Sequence, residues 1–254
     1  MDSLGGRYYT TEDVGMKPED LLPIGKETQY VLGLPPDMGG SGDTSPLTGL
    51  GVYMGMKAAA VSIWGSDSLS GKTVAMQGFG NVARQTALHL LKENVRLIVT
   101  DINEGAIQEA RSQGATILSY DEIYDTEADI FSPCALGGIL NDDTIPRLKV
   151  KLVAGGANNQ LLEARHGEAL RRRGIVYAPD YIINAGGIIQ VACEIDGRDV
   201  AQRARAKTEE IYNTTQRVLA ISQEQDIPTS EAADSLAEQR LEQARAEGLD
   251  HSGK

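Results

Sequence analysis

Two glycines, an alanine and an aspartate occur in one stretch of the sequence with the types and spacing that bind a dinucleotide. A Gly-x-Gly-x-x-Ala motif at residues 78–83 follows a short apolar run, precedes a helical pattern, and is followed by a second apolar run that ends at Asp101. Gly78 permits a tight turn, Gly80 lets the backbone approach a pyrophosphate, and Ala83 lets the helix lie close to a sheet. The unpaired N–H groups at the start of such a helix would hold the phosphates.

Asp101 stands where a carboxylate can accept hydrogen bonds from both hydroxyls of an adenosine ribose. It would repel a 2′-phosphate, and no Arg or Lys occurs between Asp101 and Arg111 to bind one. The sequence therefore predicts NAD, and not NADP, as the cofactor. An ordinary turn between a strand and a helix is the alternative, but strand, helix, second strand and terminal acid all follow in the required order.

Composition and charge disfavour several other classes of protein. The 254 residues can bury one good core, and their number allows one domain or two. The formal net charge of −12 disfavours nucleic acid and anionic membranes as partners. No apolar stretch is long enough to span a membrane and the N-terminus lacks a signal-peptide pattern, so we expect a cytoplasmic protein.

The two cysteines, Cys134 and Cys193, do not have the spacing of a redox or metal-binding motif. They are typical of small buried residues in a reducing compartment, and no metal site is expected. A reactive thiol remains the alternative for either residue.

Alternating strand and helix patterns after the motif predict an α/β fold, a Rossmann-type doubly wound parallel sheet. Short apolar runs at residues 116–118, 128–131, 152–154 and 176–178 each predict a strand. Because right-handed crossovers bring the loops after parallel strands to one edge, we expect ligands to bind there.

The segments on either side of this sheet are less regular. Residues 7–10 predict a strand, an acidic helix follows to near residue 30, and residues 35–43 are a linker rich in Gly and Pro. A lone strand cannot form a sheet, so the opening segment should pair with another chain or stay exposed. A helix is predicted from Ser45, as its cap, to about Trp64.

Two long helical patterns close the chain, at residues 200–225 and 229–246. The first carries apolar residues suited to packing on a neighbour. The second is highly charged, which favours a solvated helix and leaves a subunit contact as the alternative.

Several further motifs give the chain its resemblance to the leucine dehydrogenases within the glutamate, leucine, phenylalanine and valine dehydrogenase superfamily. In addition to the glycine motif, the matching sequence motifs are Gly6-Arg7-Tyr8, Thr11-Glu12-Asp13-Val14-Gly15, Ser45-Pro46-x-Thr48, Gly51-Val52-Tyr53-x-Gly55-Met56-Lys57, Pro133-Cys134-Ala135-Leu136-Gly137, Ala157-Asn158-Asn159-Gln160 and Tyr177-Ala178-Pro179-Asp180-Tyr181-Ile182-Ile183-Asn184-Ala185-Gly186-Gly187. It extends over nearly the whole chain, to about Ala246.

The resemblance implies oxidative deamination of an apolar L-amino acid to its 2-oxo acid through an imine, with hydride transfer to NAD. Asp13 matches the catalytic aspartate that moves protons, although an acid at a helix start explains it as well. Asn184 matches the asparagine that steers substrate and nicotinamide. The residues implied to bind the cofactor are Thr48, Gly78, Gly80, Asn81, Val82, Asp101, Ile102, Cys134, Ala135, Ala157, Asn158 and Asn184. The residues implied to form the substrate pocket are Thr11, Leu32, Ile188 and Val191.

Some of these assignments have structural alternatives. Cys134 is also explained as a structural residue, and Ile188 and Val191 as an ordinary helix face. Leu32 stands where leucine dehydrogenases usually have a threonine, which is a departure from the family pattern.

The larger departure is that, beyond a short remnant, the N-terminal substrate domain of the family has no counterpart in the sequence. Its Gly-Gly-Gly-Lys motif carries a lysine that, with a second one nearby, holds the substrate carboxylate and polarises the carbonyl. Lys17, Lys26 and Lys57 have no glycine-rich context. We therefore divide the chain into a remnant of the substrate domain with the hinge (1–40), an NAD-binding domain (41–200) and C-terminal helices with a charged tail (201–254).

Three interpretations of this chain are compatible with its sequence. The first is an NAD-dependent oxidoreductase derived from amino-acid dehydrogenases, with an amino acid or its 2-oxo acid or imine as substrate. The second is a non-catalytic NAD-binding or regulatory subunit, and the third is a fragment of a full-length leucine or phenylalanine dehydrogenase. We expect a homo-oligomer, with a dimer favoured, or a separate chain that supplies the missing domain.

Overall fold

The computed structural model describes residues 1–13 and 15–247 and contains a six-stranded parallel sheet. The strands are β1 (Thr73–Gln77), β2 (Arg96–Thr100), β3 (Thr116–Ile117), β4 (Ile130–Pro133), β5 (Leu152–Val153) and β6 (Val176–Tyr177). The α-helices are α1 (Leu22–Glu27), α2 (Ser45–Trp64), α3 (Asn81–Lys92), α4 (Glu104–Ser112), α5 (Arg165–Arg172), α6 (Asp180–Ile183), α7 (Gly186–Ile195), α8 (Val200–Glu209), α9 (Ile211–Gln225) and α10 (Thr229–Ala246). Val14 of the matched motif and residues 248–254 of the predicted C-terminal unit lie outside the described residues.

The strand order is β3-β2-β1-β4-β5-β6, and the central strand β1 pairs with β2 and β4. Val74 on β1 lies opposite Leu97 and Ile130. Helices α3 and α4 pack on the face that carries Val74. Helix α5 packs on the other face, where Leu170 joins the cluster around Ala75. This arrangement confirms the predicted Rossmann-type doubly wound sheet. The strands are added in one direction from β1 to β3 and in the other from β4 to β6, and such folds bind ligands at the point between β1 and β4 where this order changes.

Helix α2 precedes the sheet and packs against α3, α7, α8 and α9. Glycines permit the closest of these contacts. A Cβ atom on Gly51 would lie 2.5 Å from the backbone oxygen of Ile183, and one on Gly186 would lie 2.0 Å from the backbone oxygen of Leu47. Backbone therefore lies directly against backbone, which fixes Thr48 beside the start of α7.

The predicted strand at residues 7–10 is wrong for the described part of the chain. Thr10 forms only an isolated bridge with Val31, in which the Thr10 N–H donates to Tyr30 O and the Leu32 N–H donates to Thr10 O, at 3.0 and 2.8 Å. The local partner satisfies these groups, so the segment does not present an unpaired strand. The helix predicted after this segment ends at Glu27 and not near residue 30, because Thr28 is extended.

The start of α2 also differs from the prediction. Thr44 takes the cap position and Ser45 is the first helical residue, whose N–H donates to Asp43 Oδ1 at 2.8 Å. The predicted end of the helix at Trp64 is correct.

The apolar stripe of the first tail helix packs inside the chain. Ile211, Val218 and Leu219 on α9 are buried, and α9 packs against α2 and α10. This stripe and the supposed strand were the two reasons for expecting an oligomer, and neither is available for that purpose in the described structure. No described helix is long and apolar enough to cross a membrane.

A partly buried polar contact joins α2, the end of α3 and the loop before β1. The Tyr53 hydroxyl donates to Glu93, which also accepts from Lys57 Nζ at 3.2 Å and from the Leu69 N–H at 3.0 Å. Burial alone would raise the pKa of Glu93, but these three donors outweigh it and hold the pKa below its usual value.

We expect Glu93→Gln to lower the free energy of unfolding at pH 7 by about 1–2 kcal/mol, because it weakens three hydrogen bonds to a carboxylate. Since the folded pKa of Glu93 is depressed, its contribution is complete above the unfolded pKa and disappears as the pH falls through the folded pKa. Urea titrations between pH 7 and pH 3 should show the two proteins converging in acid. A constant difference at every pH would contradict this assignment, and Asp37→Asn, an exposed carboxylate, serves as the control.

Candidate active site

Two adjoining cavities of about 530 and 470 Å³ open at the edge of the sheet where the strands end. They share five lining residues, namely Glu12, Asp13, Thr44, Asn158 and Asn184. The larger one is also lined by Thr11, Asn159, Asp180, Tyr181, Ala185, Gly187, Ile188 and Val191. The smaller one is also lined by Gly15, Met16, Lys17, Pro18, Glu19, Asp43, Ser45, Thr48, Asn81, Val82 and Gly156. Together they form one cleft between the opening segment and the sheet.

The glycine motif has the backbone geometry that a phosphate-binding turn requires. Gly78 has φ +96°, and a Cβ there would lie 2.9 Å from the backbone nitrogen of Ala135. A Cβ on Gly80 would have no atom within 4 Å, so open space adjoins the backbone there. Helix α3 begins at Asn81 directly after it, with its unpaired N–H groups facing the same edge. The residues present therefore fit a dinucleotide pyrophosphate.

Two backbone N–H groups hold the Asp101 side chain in place. Its carboxylate accepts from the Phe79 N–H at 2.6 Å and from the Asn103 N–H at 2.7 Å. A carboxylate has about four acceptor sites, so it retains capacity for ribose hydroxyls. The neighbouring Ile102 is 91% exposed, and such an apolar side chain at the end of β2 is available to cover an adenine.

The loops after β4 and β5 are joined near Cys134. The Ala157 N–H donates to Pro133 O at 3.0 Å, and the Gly156 N–H contacts Cys134 Sγ at 3.5 Å. Burial raises the pKa of the Cys134 thiol above its usual value, so the protonated form dominates at neutral pH. This environment favours the structural alternative for Cys134 over a reactive thiol.

Two asparagines face each other across the cleft. Asn184 Nδ2 donates to Asn158 Oδ1 at 2.6 Å and to the backbone oxygen of Gly156 at 3.3 Å. Thr48 lines the same cavity, and its hydroxyl donates to Thr44 O at 3.0 Å. Two residues assigned to the cofactor, Asn158 and Asn184, thus meet at the junction of the two cavities, and a third, Thr48, lines the smaller one.

The predicted pocket residues are only partly brought together. Thr11, Ile188 and Val191 line the larger cavity together with Asp13. Ile188 is 63% exposed and Val191 is buried. Leu32 lines neither cavity, and its side chain is buried.

Helix α7 holds the opening segment in place through two residues that the sequence analysis missed. Glu194 accepts from the backbone N–H groups of Gly33 and Ser41, at 3.1 and 2.9 Å, and from the Ser41 hydroxyl. Gln190 donates to Ser41 O at 3.0 Å and also contacts Gly42 O at 3.4 Å. The only local signal is a polar pair at i and i+4 in an otherwise apolar helix.

Glu12 was also missed, although it lies beside Asp13 in a matched motif. Its carboxylate accepts from the Thr44 N–H at 3.2 Å and from the Thr44 hydroxyl at 2.8 Å. This bond fastens the opening segment to the start of α2. Asp13 consequently faces the cleft from a segment that is tied to both α2 and α7.

Acidic side chains dominate the lining of the cleft. Glu12, Asp13 and Asp180 line the larger cavity, and Lys17 is the one cation among the described residues that line either cavity. Lys17 is exposed. No three His, Cys, Asp or Glu side chains within the described residues are placed so that they could hold a metal ion.

These features define an α/β protein with a Rossmann-type sheet, in which amide and acid groups lie next to the glycine motif. Residues 39–112 and 96–248 match the glutamate/leucine/phenylalanine/valine dehydrogenase family. The chain therefore belongs to that family of amino-acid dehydrogenases, as the sequence motifs predicted.

Individual relatives agree with this assignment. The chain is 54% identical over 246 residues to leucine dehydrogenase of Bacillus subtilis (strain 168), which covers 96% of this chain and 67% of that protein. It is 44% identical over 248 residues to phenylalanine dehydrogenase of Caldalkalibacillus thermarum (strain TA2.A1), covering 95% and 67% of the two chains. The crystal structure of L-tryptophan dehydrogenase from Nostoc punctiforme matches with a TM-score of 0.84 at 42% identity, over 96% of this chain and 70% of that one. The chain thus spans about two thirds of the length of these curated relatives.

Proposed function

We propose that this chain binds NAD and belongs to an enzyme that oxidatively deaminates an apolar L-amino acid. The observation that carries the proposal is the meeting of Asp13 and the Asn158–Asn184 pair in one cleft beside the glycine motif. Similarity to leucine, phenylalanine and tryptophan dehydrogenases supports the substrate class. NAD would supply the hydride acceptor when bound.

The cofactor's phosphates would lie over Gly80 and the first N–H groups of α3. Asp101 would accept the adenosine ribose hydroxyls, and Ile102 would cover the adenine. At the other end, Asn158 uses its Oδ1 to accept from Asn184, and so offers its Nδ2 as a donor. Asn184 uses its Nδ2 as a donor and so offers its Oδ1 as an acceptor. One donor and one acceptor together complement a nicotinamide carboxamide.

In the proposed reaction, Asp13 takes and returns protons at the substrate amine and at a water. Glu12 is less suited to that role, because its Oε1 already accepts two hydrogen bonds from Thr44. The cleft acids attract the ammonium group of an amino acid. Ile188 and Val191 would contact its apolar side chain from α7.

The cofactor proposal is tested by calorimetric titration of the chain with NAD and with NADP. We expect at least tenfold tighter binding of NAD, because Asp101 repels a 2′-phosphate at short range. Asp101→Ser removes that repulsion and should narrow the difference. Equal affinity of the unaltered chain for both nucleotides would refute the assignment, and Asp121→Asn, an exposed acid that pairs with Arg147, is the charge-matched control.

A non-catalytic NAD-binding subunit is the second candidate. The cleft favours it in one respect, since Lys17 is its one lining cation among the described residues and stands on an exposed loop. Amino-acid carboxylates are normally held by cations. Binding of NAD without measurable turnover, alone or with a partner chain, would support this candidate.

A further inference from the structure

Asp180 is a buried acid of the cleft to which the proposed reaction gives no proton-transfer role. It is 5% exposed and lies in the first turn of the short helix α6. One carboxylate oxygen accepts from the Tyr177 hydroxyl, and the other accepts from the Asn159 N–H at 2.8 Å. Burial and the adjacent carboxylate raise the pKa of Tyr177 well above its usual value, so its hydroxyl remains a donor.

Asn159 is the point at which two loops of the cleft meet. Its N–H binds Asp180, and its backbone oxygen accepts from the Gly138 N–H at 2.8 Å in the loop after β4. A Cβ on Gly137 would lie 2.9 Å from that same oxygen, so the two loops are in direct contact. Asn159 also has φ +53°, a left-handed conformation that costs energy for a residue other than glycine. Its neighbours must therefore hold it in place.

Asp180 and Asn184 both form hydrogen bonds with the loop that contains Asn158 and Asn159. The Asn184 N–H donates to Asp180 O at 2.9 Å, so the two residues are rigidly related. Asp180 fixes the backbone of Asn159, and Asn184 fixes the side chain of the preceding residue, Asn158. Two adjacent residues of one loop are thus held by two residues one turn apart, Asp180 at the start of α6 and Asn184 just after its end.

We propose that Asp180 is a positioning residue for the nicotinamide end of the cofactor, which it orients by holding the Asn159 N–H and thereby the Asn158 amide. The inference rests on the proposed NAD binding. The adenosine and pyrophosphate groups would contact Gly80, Asp101 and α3, which make no hydrogen bond with this network among those described. Loss of Asp180 should therefore weaken only the contacts at the nicotinamide.

The test compares two ligands by calorimetry and fluorescence. NADH carries a fluorescent reduced nicotinamide, and ADP-ribose has no nicotinamide. For Asp180→Ala we expect NADH affinity to fall about tenfold, as for loss of a hydrogen bond to a carboxylate, together with loss of the fluorescence change on binding. The affinity for ADP-ribose should stay within about twofold of the unaltered chain, because its contacts lie elsewhere.

Two further variants separate positioning from folding. Tyr177→Phe removes a donor to the same carboxylate but leaves the bond to Asn159, so it should lower the melting temperature and keep NADH affinity. Asp180→Asn keeps an acceptor for the Asn159 N–H and should restore NADH affinity to within about threefold of the unaltered chain. If Asp180→Ala does not fold, Asp180→Asn can be used for the test in its place. Its smaller loss of affinity should still be found for NADH and not for ADP-ribose.

The outcomes distinguish this inference from the proposed function. If the unaltered chain binds neither ligand, NAD binding fails and the role of Asp180 falls with it. If the unaltered chain binds both, and the Asp180 variants weaken both ligands equally or neither, the positioning role alone is overturned. A selective loss of NADH affinity and fluorescence change supports it.

Discussion

The purified 254-residue chain is expected to oxidise L-leucine or L-phenylalanine at least about a hundredfold more slowly than a full-length leucine dehydrogenase, even with NAD saturating. The reaction develops negative charge on the carbonyl oxygen, and one preorganised stabiliser of such charge contributes about 10²–10³ in rate. The described lining of the cleft offers several acids but only Lys17 as a cation. The substrate carboxylate would also lack a fixed partner, so positioning would be lost as well.

The measurement is NADH formation, followed by absorbance across a panel of apolar L-amino acids at high protein concentration. Asp13→Asn should abolish whatever residual rate exists, whereas Asp37→Asn, an exposed acid outside both cavities, should not change it. A rate near that of a full-length leucine dehydrogenase would show that the cleft needs no further cation. A large increase on addition of a lysine-bearing partner chain would agree with the prediction.

Gly186→Ala is expected to lower the free energy of unfolding by about 3 kcal/mol, at the upper end of the usual cost of overpacking. The new Cβ would lie 2.0 Å from the backbone oxygen of Leu47 and 2.7 Å from the backbone nitrogen of Thr48. Leu47 and Thr48 lie in the first turn of the packed helix α2 and their backbone atoms cannot rotate away, so α2 and α7 must separate. Urea unfolding followed by circular dichroism measures the loss.

Gly80→Ala is the matched control for this change. Its Cβ would meet no atom within 4 Å and its φ of −76° suits an alanine, so the stability should change by less than about 1 kcal/mol. The same methyl group would occupy the space proposed for the pyrophosphate, and NAD affinity should fall. Unchanged stability in Gly186→Ala would mean that the contact between the two helices can readjust.

The sheet and the place of the cleft were predictable because they depend on local patterns and on general topology. Each strand is a short apolar run, and right-handed connections bring all their ends to one edge. That is why residues as distant as Asn81, Asn158 and Asn184 could be expected together, and they line one cavity.

What could not be predicted depends on partners that the sequence does not indicate. Thr10 looked like part of a strand, but its partner is Val31 in the same small segment. Gln190 and Glu194 bind backbone groups of the linker. Because nearly every residue has these backbone groups, the residue types do not indicate which of them will be bound. Asp180 stands in a matched motif, but its role depends on the conformation of Asn159, which only the structure reveals.

The packing of α2 against α9 affects how this chain folds during its synthesis. Buried residues of α2 face several directions, and the helix that covers part of them belongs to the last quarter of the chain. During synthesis on a ribosome α2 emerges first and must wait for α9, while β1 to β6 form between them. Contacts so far apart in sequence slow folding and leave apolar surface exposed meanwhile. We therefore expect the final helices to complete the fold, and a nascent chain halted before α9 to present α2 to chaperones or proteases.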